Sequence, residues 1–178
     1  LWERPELAMV DINGKQVAWA CPAKQDARNY ELSLILEVAT NYAVDGIHLD
    51  YIRYPHPGVC YCDHCRSEFS AQYGFDPKTR PNDPLWINWK CAKISSFVNE
   101  IYTTVRQINP RIKVSAAVFP RIEEAKLGVC QDWEEWIEKG IVDFIAPMIY
   151  IPSIREFRVS MEEILKTVKW RCPVYVGI

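Results

Sequence analysis

The sequence predicts an α/β fold in which parallel strands alternate with helices. Short apolar segments recur along the chain, longer segments with helical periodicity separate them, and no internal repeat or low-complexity stretch interrupts that order. Strands that alternate with helices form parallel sheets with right-handed crossovers. About five strands and four helices are expected, too few for a closed eight-unit barrel of roughly 250 residues. The predicted architecture is therefore a partial (β/α) barrel, with an open doubly wound sheet as the alternative.

The first predicted unit is a strand at residues 17–20 followed by a helix. Cys21-Pro22 ends the strand, and Asp26 is placed to cap the helix, because a carboxylate accepts hydrogen bonds from the free N–H groups of a first turn. Apolar side chains at three- and four-residue spacing give this helix one buried face; they are Leu32, Ile35, Leu36 and Ala39.

The second unit opens with a strand at residues 44–51, and Pro55 breaks the extended chain shortly after it. Side chains alternate between the two faces of a strand, so His48 and Asp50 share one face and Ile47 and Leu49 the other. The later elements are marked by their end residues. They are a helix from Asp83-Pro84 to Asn109-Pro110, a strand at 113–119, a helix at 132–139 ended by Gly140, a strand at 142–150, a helix with the capping box Ser153/Glu156, and a strand from Val174.

Composition narrows the class of protein. The 178 residues are 49% hydrophobic and 25% charged, with a formal net charge of −2, which is typical of one globular domain with a core. Nothing in this charge favours a nucleic-acid partner, and no apolar run is long enough for a membrane span. The chain opens on Leu1 and closes on a strand-like segment. We therefore expect residues 1–178 to be a single barrel segment of a longer protein, whose localisation cannot be read from this stretch.

The end of the second strand is the candidate active site. Parallel (β/α) barrels carry their catalytic groups at the carboxyl ends of strands, and this strand delivers Asp50 with Arg53 three residues later. An adjacent cation would keep the carboxylate ionised. His48 faces the same way, either to hydrogen-bond a sugar hydroxyl or to satisfy a neighbour. Aromatic rings at strand ends, namely Trp19, Tyr54 and Tyr150, suit stacking on sugar rings or core packing.

The run DGIHLDYIRYP at residues 45–55 resembles the signature strand of the family 10-like glycosyl hydrolases, bacterial proteins related to the divisome glycosidase of peptidoglycan. Residues 19–22 with Arg28, residues 131–136 and residues 143–150 resemble further parts of that family in the expected order. The resemblance implies a TIM-type barrel that acts on glycosidic bonds outside the cytoplasm, with its first strands absent from this segment. It implies a carbohydrate substrate, no catalytic cofactor, and substrate-binding roles for His48, Arg53, Tyr54, Trp19, Met148 and Tyr150.

The chemistry of glycoside hydrolysis ordinarily needs two carboxyl groups. The pattern Asp-Gly-x-x-x-Asp is similar to the fourth strand of alpha-amylases, which implies that Asp50 is the nucleophile. Chitinases share the opening Asp-Gly and a later Met-x-Tyr strand, but Ile52 stands where they carry the acid, so their mechanism does not transfer. For the second carboxyl group the alternatives are Glu123 and Glu124, expected on a polar loop, or the absent strands; Asp132 is accounted for as a helix cap.

Three cysteines, Cys60, Cys62 and Cys65, fall within six residues just after the signature strand. This spacing is typical of a metal site or a disulfide clip, and Cys91 is the expected fourth ligand of a closed structural zinc site. A structural zinc, a disulfide and free thiols all remain open. Any such clip would support the insertion at residues 57–82, which is too long for an unsupported loop. The other cysteines, Cys21, Cys130 and Cys172, are expected to be isolated buried thiols.

Two other functions remain open at this point. One is a carbohydrate-binding barrel without catalytic activity, because a fold does not guarantee a reaction. The other is a metal-dependent hydrolase in which His48, Asp50 and His56 hold a catalytic ion. The second is disfavoured because the chain has three histidines in all and His56 lies beyond a proline.

Overall fold

The computed structural model describes residues 3–177, so Leu1, Trp2 and Ile178 lie outside the described residues. Within that range five strands and six helices follow one another in chain order. They are β1 Ala8–Val10, β2 Gln16–Ala20, α1 Gln25–Asn41, β3 Gly46–Leu49, α2 Asp63–Tyr73, α3 Pro84–Ile108, β4 Lys113–Val118, α4 Ile122–Val129, α5 Trp133–Glu138, β5 Phe144–Pro147 and α6 Ile154–Val168. None of the described helices combines the length and the apolar character needed to cross a lipid bilayer.

The strands form two separate sheets. β3, β4 and β5 lie side by side in that order and are parallel, which confirms the α/β class and the parallel sheet. β1 and β2 form an antiparallel pair that the sequence did not predict. The segment expected as the last strand makes only isolated parallel bridges, from Val174 to Ile145 and from Gly177 to Met148.

The parallel sheet has one face covered by helices and one open face at β3. Ile47 and Leu49 are buried, whereas Gly46, His48 and Asp50 are exposed, which confirms the predicted alternation. β4 is central and its side chains are almost all buried. The helix α3 supplies the largest share of the core opposite this sheet, through Trp86, Ile94, Phe97, Val98, Ile101 and Val105.

Most predicted helix ends are confirmed. The carboxylate of Asp83 accepts the N–H of Leu85 at 2.9 Å at the start of α3. Asp132 and Ser153 cap α5 and α6 by accepting the N–H groups of Glu135 and Glu156. Asp26 was wrongly predicted as a cap: the capping position is Lys24, two residues earlier, and it makes no side-chain cap. Asp26 lies in the first turn, where its charge favours the helix dipole.

The insertion at residues 57–82 contains structure of its own. α2 and a short 3₁₀ turn at Pro77–Thr79 occupy most of it. The fully buried ring of Phe69 contacts the rings of Tyr73, Phe75, Trp86 and Trp89, with centroids 4.6 to 6.1 Å apart. Aromatic packing against α3 therefore supports the second half of the insertion.

Candidate active site and cysteine cluster

Asp50 lies one residue beyond β3, at the carboxyl edge of the parallel sheet. Its side chain is 53% exposed, and the guanidinium Nη1 of Arg53 lies 3.7 Å from its Oδ1 atom. The same oxygen accepts the backbone N–H of Tyr51 at 2.7 Å. The carboxylate is thus oriented by a backbone donor and faced by a cation, while remaining open to a ligand.

The turn after Asp50 is conformationally strained. Tyr51 has φ of 55°, a left-handed conformation that costs a residue with a side chain roughly 1–2 kcal/mol. The turn closes where the N–H of Arg53 donates to the carbonyl oxygen of Tyr51 at 2.8 Å. Strain of this kind persists only where the surroundings hold it, and it concentrates at functional sites.

Arg53 is fixed by two aromatic rings. Its guanidinium carbon lies 4.5 Å from the ring centre of Tyr51 and 5.2 Å from that of Phe119. The side chain is only 11% exposed, and its buried Nη1 has no hydrogen-bond partner among the described residues. The stacked guanidinium therefore keeps a donor free on the side of Asp50, within reach of a small movement of that carboxylate.

A cleft of about 360 Å³ is lined by β2, by the end of β3 with the segment after it, and by the helices α1 and α3. Trp19, Asp50, Tyr51 and Arg53 line it, and the rings of Trp19 and Tyr51 meet edge to face with their centres 5.6 Å apart. Apolar side chains from α1 and α3 also line it, namely Ile35, Ile94, Phe97 and Ile101. A cleft with aromatic walls and a few polar groups is typical of a small-molecule or sugar site.

Two charged residues of α1 line the same cleft, Arg28 and Glu31. Arg28 forms an ion pair with Glu100 and lies 5.3 Å above the ring of Phe97. Glu31 was not predicted as a site residue. The sequence did offer one indication: Glu31 follows Ala27 by four residues, a spacing that puts the two side chains on the same face of the helix.

His48 lies on the open face of β3, two residues before Asp50. Its Nδ1 atom is 2.8 Å from the hydroxyl of Ser115, the residue that pairs with it on β4. This contact orients the imidazole and leaves the exposed ring available to a ligand. Among the described residues that line the cleft, β3 contributes Leu49 rather than His48, because the two side chains lie on opposite faces of the strand.

Tyr54 does not join the cleft, contrary to the expectation of a substrate-binding role. It is fully buried, with its ring 5.5 Å from the ammonium of Lys90, and burial raises the pKa of its hydroxyl well above the usual value. Met148 and Tyr150 follow β5, two strands from β3 at the same sheet edge. Tyr150 is 70% exposed, so its ring is accessible there.

The expected sources of a second carboxyl group have structural roles. Glu123 and Glu124 belong to the first turn of α4, so the prediction of a polar loop was wrong there. Glu124 pairs with Arg121 on the surface at 2.9 Å. The buried carboxylate of Asp132 caps α5 and forms an ion pair at 2.5 Å with Lys126, whose pKa that contact raises.

The metal-ligating side chains that converge in the described part of the chain are cysteines. Cys21, Cys60, Cys62 and Cys65 are buried, and their four sulfur atoms lie within 4.8 Å of one another. We call this set the cysteine cluster. Across residues 3–177, His48, Asp50 and His56 do not converge in this way, which disfavours the metal-dependent hydrolase.

The fourth member of the cluster is Cys21, not Cys91 as the spacing suggested. Cys91 lies on α3, where its thiol donates to the carbonyl oxygen of Lys126 at 3.8 Å. Cys130 is not an isolated thiol, contrary to the expectation, because its contact with Cys91 raises the pKa of Cys91 and lowers the pKa of Cys130. Cys172 remains apart, and burial raises its pKa to about 11. Sequence spacing could not find Cys21, because it precedes the other three by a whole helix and a strand.

Within the cluster the thiols are mutually hydrogen-bonded. Contacts with Cys21, Cys60 and Cys65 lower the pKa of Cys62, whereas contacts with Cys21, Cys60 and Cys62 raise the pKa of Cys65. The neighbouring thiols thus stabilise one thiolate in the cluster, and its negative charge opposes ionisation of the other thiols.

Two bacterial glycosyl hydrolases are similar to this chain in sequence. The glycosyl hydrolase YngK of Bacillus subtilis (strain 168) is 28% identical over 146 residues, covering 72% of this chain and 27% of that protein. The glycosyl hydrolase DigH of Escherichia coli (strain K12) is 25% identical over 151 residues, covering 75% of this chain and 32% of that protein. The chain therefore spans about a third or less of these relatives.

Solved structures share the fold. The glycoside hydrolase domain of PgaB (BpsB) from Bordetella bronchiseptica superposes with a TM-score of 0.70 at 13% identity, over 93% of this chain and 52% of that one. Beta-galactosidase from Bacillus circulans sp. alkalophilus superposes with a TM-score of 0.67 at 14% identity, over 93% of this chain and 31% of that one. The profile described as glycosyl hydrolase-like 10 matches residues 3–178. With that match across nearly its whole length, the chain belongs to the glycosyl hydrolase-like 10 family.

Proposed function

We propose that the protein hydrolyses glycosidic bonds of a polysaccharide or other glycan, with Asp50 as a catalytic carboxylate. The observation that carries this proposal is the placement of Asp50 beyond a parallel strand, at a cleft with aromatic walls and a stacked arginine. The chain would form part of a TIM-type barrel, in which strand ends of this kind carry the catalytic groups. Its membership of a glycosyl hydrolase-like family supports the same reaction class.

The charge distribution suits the reaction. Cleavage of a glycosidic bond passes through an oxocarbenium-like transition state with positive charge at the anomeric carbon. The exposed carboxylate of Asp50 would attack or stabilise that carbon. Arg53, whose Nη1 atom lies 3.7 Å from the carboxylate, would orient it before substrate arrives, which is electrostatic preorganisation.

The surrounding side chains suit a carbohydrate. The rings of Trp19 and Tyr51 offer apolar faces to the C–H groups of a sugar. Outside the cleft lining, the exposed imidazole of His48 would offer a hydrogen bond to a sugar hydroxyl on the open face of β3. Glu31 is the other carboxylate that lines the cleft. The activity of Glu31→Gln tests whether this group takes part in glycan cleavage.

The experiment is a substitution that removes one charge and preserves shape. Asp50→Asn in the full-length protein should retain the fold and lower glycan cleavage by at least about 10³-fold. Product release from peptidoglycan and other bacterial glycans is measured by chromatography of the freed fragments. Asp45→Asn is the matched control, because Asp45 lies just before the same strand on its opposite face, and its activity should stay within about twofold of wild type.

Two outcomes would count against the proposal. Activity of Asp50→Asn within about tenfold of wild type would remove Asp50 from the catalytic machinery. A wild-type protein that binds glycans in the same panel without cleaving any of them would instead be a carbohydrate-binding barrel.

A further inference from the structure

We propose that Cys21, Cys60, Cys62 and Cys65 bind one zinc ion as a closed tetrathiolate site that joins the segment after β2 to the segment after β3. This ligand set replaces Cys91, which the sequence spacing favoured, with Cys21. The inference does not depend on the glycosidase proposal, because none of its observations concerns a substrate.

The distances between sulfur atoms fit a metal better than disulfides. Cys21 and Cys65 are 3.5 Å apart, Cys60 and Cys21 3.6 Å, and Cys62 and Cys65 3.4 Å. A disulfide requires about 2.05 Å. Sulfur atoms around a tetrahedral zinc with bonds of about 2.3 Å lie roughly 3.8 Å apart. These three distances and the 4.8 Å limit on the remaining pairs bracket the separation that a tetrahedral zinc requires.

The backbone around the cluster supports thiolate ligands. The N–H of Val10 points at the Sγ of Cys60 at 3.4 Å. Cys62 occupies the N-terminal capping position of α2, and Cys65 lies in the first turn of that helix. Unpaired N–H groups and the positive end of a helix dipole stabilise negative sulfur. Such donors around the ligands are a regular part of metal sites.

The chemistry of the ligand set selects the ion. Four thiolates form a closed tetrahedral shell, which is typical of structural zinc and leaves no position for substrate or water. As each Zn–S bond forms, a bound thiol releases its proton to solvent, and no electron is transferred. Buried thiols otherwise make only weak hydrogen bonds, so an empty cluster would give little stability to this part of the core.

The site would cross-link the segment after β2 to the segment after β3. Cys21 follows β2, two residues after Trp19, and Cys60 to Cys65 follow the strand that carries Asp50. The N–H of Tyr61 already donates to the carbonyl oxygen of Val10 at the end of β1, so the ion would strengthen an existing junction. β2 and β3 belong to different sheets, and residues 18–22 and 49–53 both line the cleft. An ion at this position would therefore restrain these two parts of the cleft lining relative to each other.

The decisive measurement is the metal content of the full-length protein, purified under reducing conditions without chelator. We expect about one zinc per chain by elemental analysis. Cys65→Ser should lose the zinc, whereas Cys91→Ser is the matched control and should retain it. Replacing zinc by Co²⁺ in the wild-type protein should give the visible absorption of a tetrahedral cobalt thiolate, which keeps the proposal testable if Cys65→Ser does not fold.

Several results would overturn the site. Thiol-intact protein that contains no metal and gives no cobalt thiolate spectrum would mean that the thiols are free. A disulfide among the four cysteines, found by mass spectrometry of non-reduced peptides, would replace the zinc with an oxidised clip. Bound iron in place of zinc would overturn the assignment of the ion, and zinc lost equally from Cys91→Ser would overturn the ligand set.

Discussion

The turn that carries Asp50 and the cysteine cluster occupy neighbouring stretches of the chain, residues 50–55 and 60–65, but they are built in opposite ways. In the turn, the carboxylate of Asp50 is exposed and Tyr51 has a left-handed backbone conformation. The buried Nη1 atom of Arg53 has no hydrogen-bond partner among the described residues. The cluster has four buried sulfur atoms in mutual contact. The carboxylate of the first is open to solvent, whereas the sulfur atoms of the second are enclosed in the core.

Their supports differ as well. The turn is held by stacking of Arg53 between two rings. The approach to the cluster is held by Lys90 of α3, whose ammonium donates to the carbonyl oxygens of Pro57 and Val59 at 2.9 Å each. Stability and activity should therefore respond separately when each support is changed.

The largest effect on stability is expected for Lys90→Met. Lys90 is almost completely buried, and its removal leaves the buried carbonyl group of Val59 and the partly buried one of Pro57 without this donor. We expect that loss to cost about 3 kcal/mol of unfolding free energy. Urea unfolding measures this change. Lys93→Met is the matched control one turn along α3, where a partly exposed ion pair with Glu68 should contribute less than about 1 kcal/mol. Equal losses in both variants would contradict the role of Lys90 as an anchor.

A smaller effect, on activity alone, is expected for Arg53→Lys. Lysine keeps the charge but cannot stack flat between Tyr51 and Phe119, so Asp50 would lose its fixed partner. We expect glycan cleavage to fall about tenfold, which corresponds to about 1.4 kcal/mol, with the melting temperature nearly unchanged. Arg121→Lys, an exposed arginine beside Glu124, should change neither quantity. A large loss of stability in Arg53→Lys would assign this arginine to the core.

The smallest effect is expected for Tyr51→Gly. Glycine adopts a positive φ without strain, so the substitution should release about 1 kcal/mol of backbone strain. That gain should offset the stability lost with the contacts of the tyrosine ring. Stability should then change little while activity falls. Lys169→Gly is the comparison, because Lys169 ends α6 with φ of 50° and should gain stability at no cost in activity. If Tyr51→Gly keeps full activity, the strained turn has no role in the reaction.

Local patterns in the sequence predicted local structure well. The alternation in β3, the caps at Asp83, Asp132 and Ser153, and the end of α3 before Pro110 all depend on residues a few positions apart. α4 was missed because its first turn carries two adjacent glutamates, which also suit a solvated loop. Asp26 failed as a cap because Gln25 already belongs to the helix.

The sequence by itself determined that the chain is α/β, that His48 and Asp50 share a strand face, and that three cysteines lie close together. These depend on backbone periodicity and short spacing, which act over a few residues. Only the tertiary structure decided that Tyr54 is buried, that Glu31 reaches the cleft, and that Cys21 completes the cluster in place of Cys91. Contacts between distant segments depend on how helices and sheets pack, and one strand or helix face does not specify its partner.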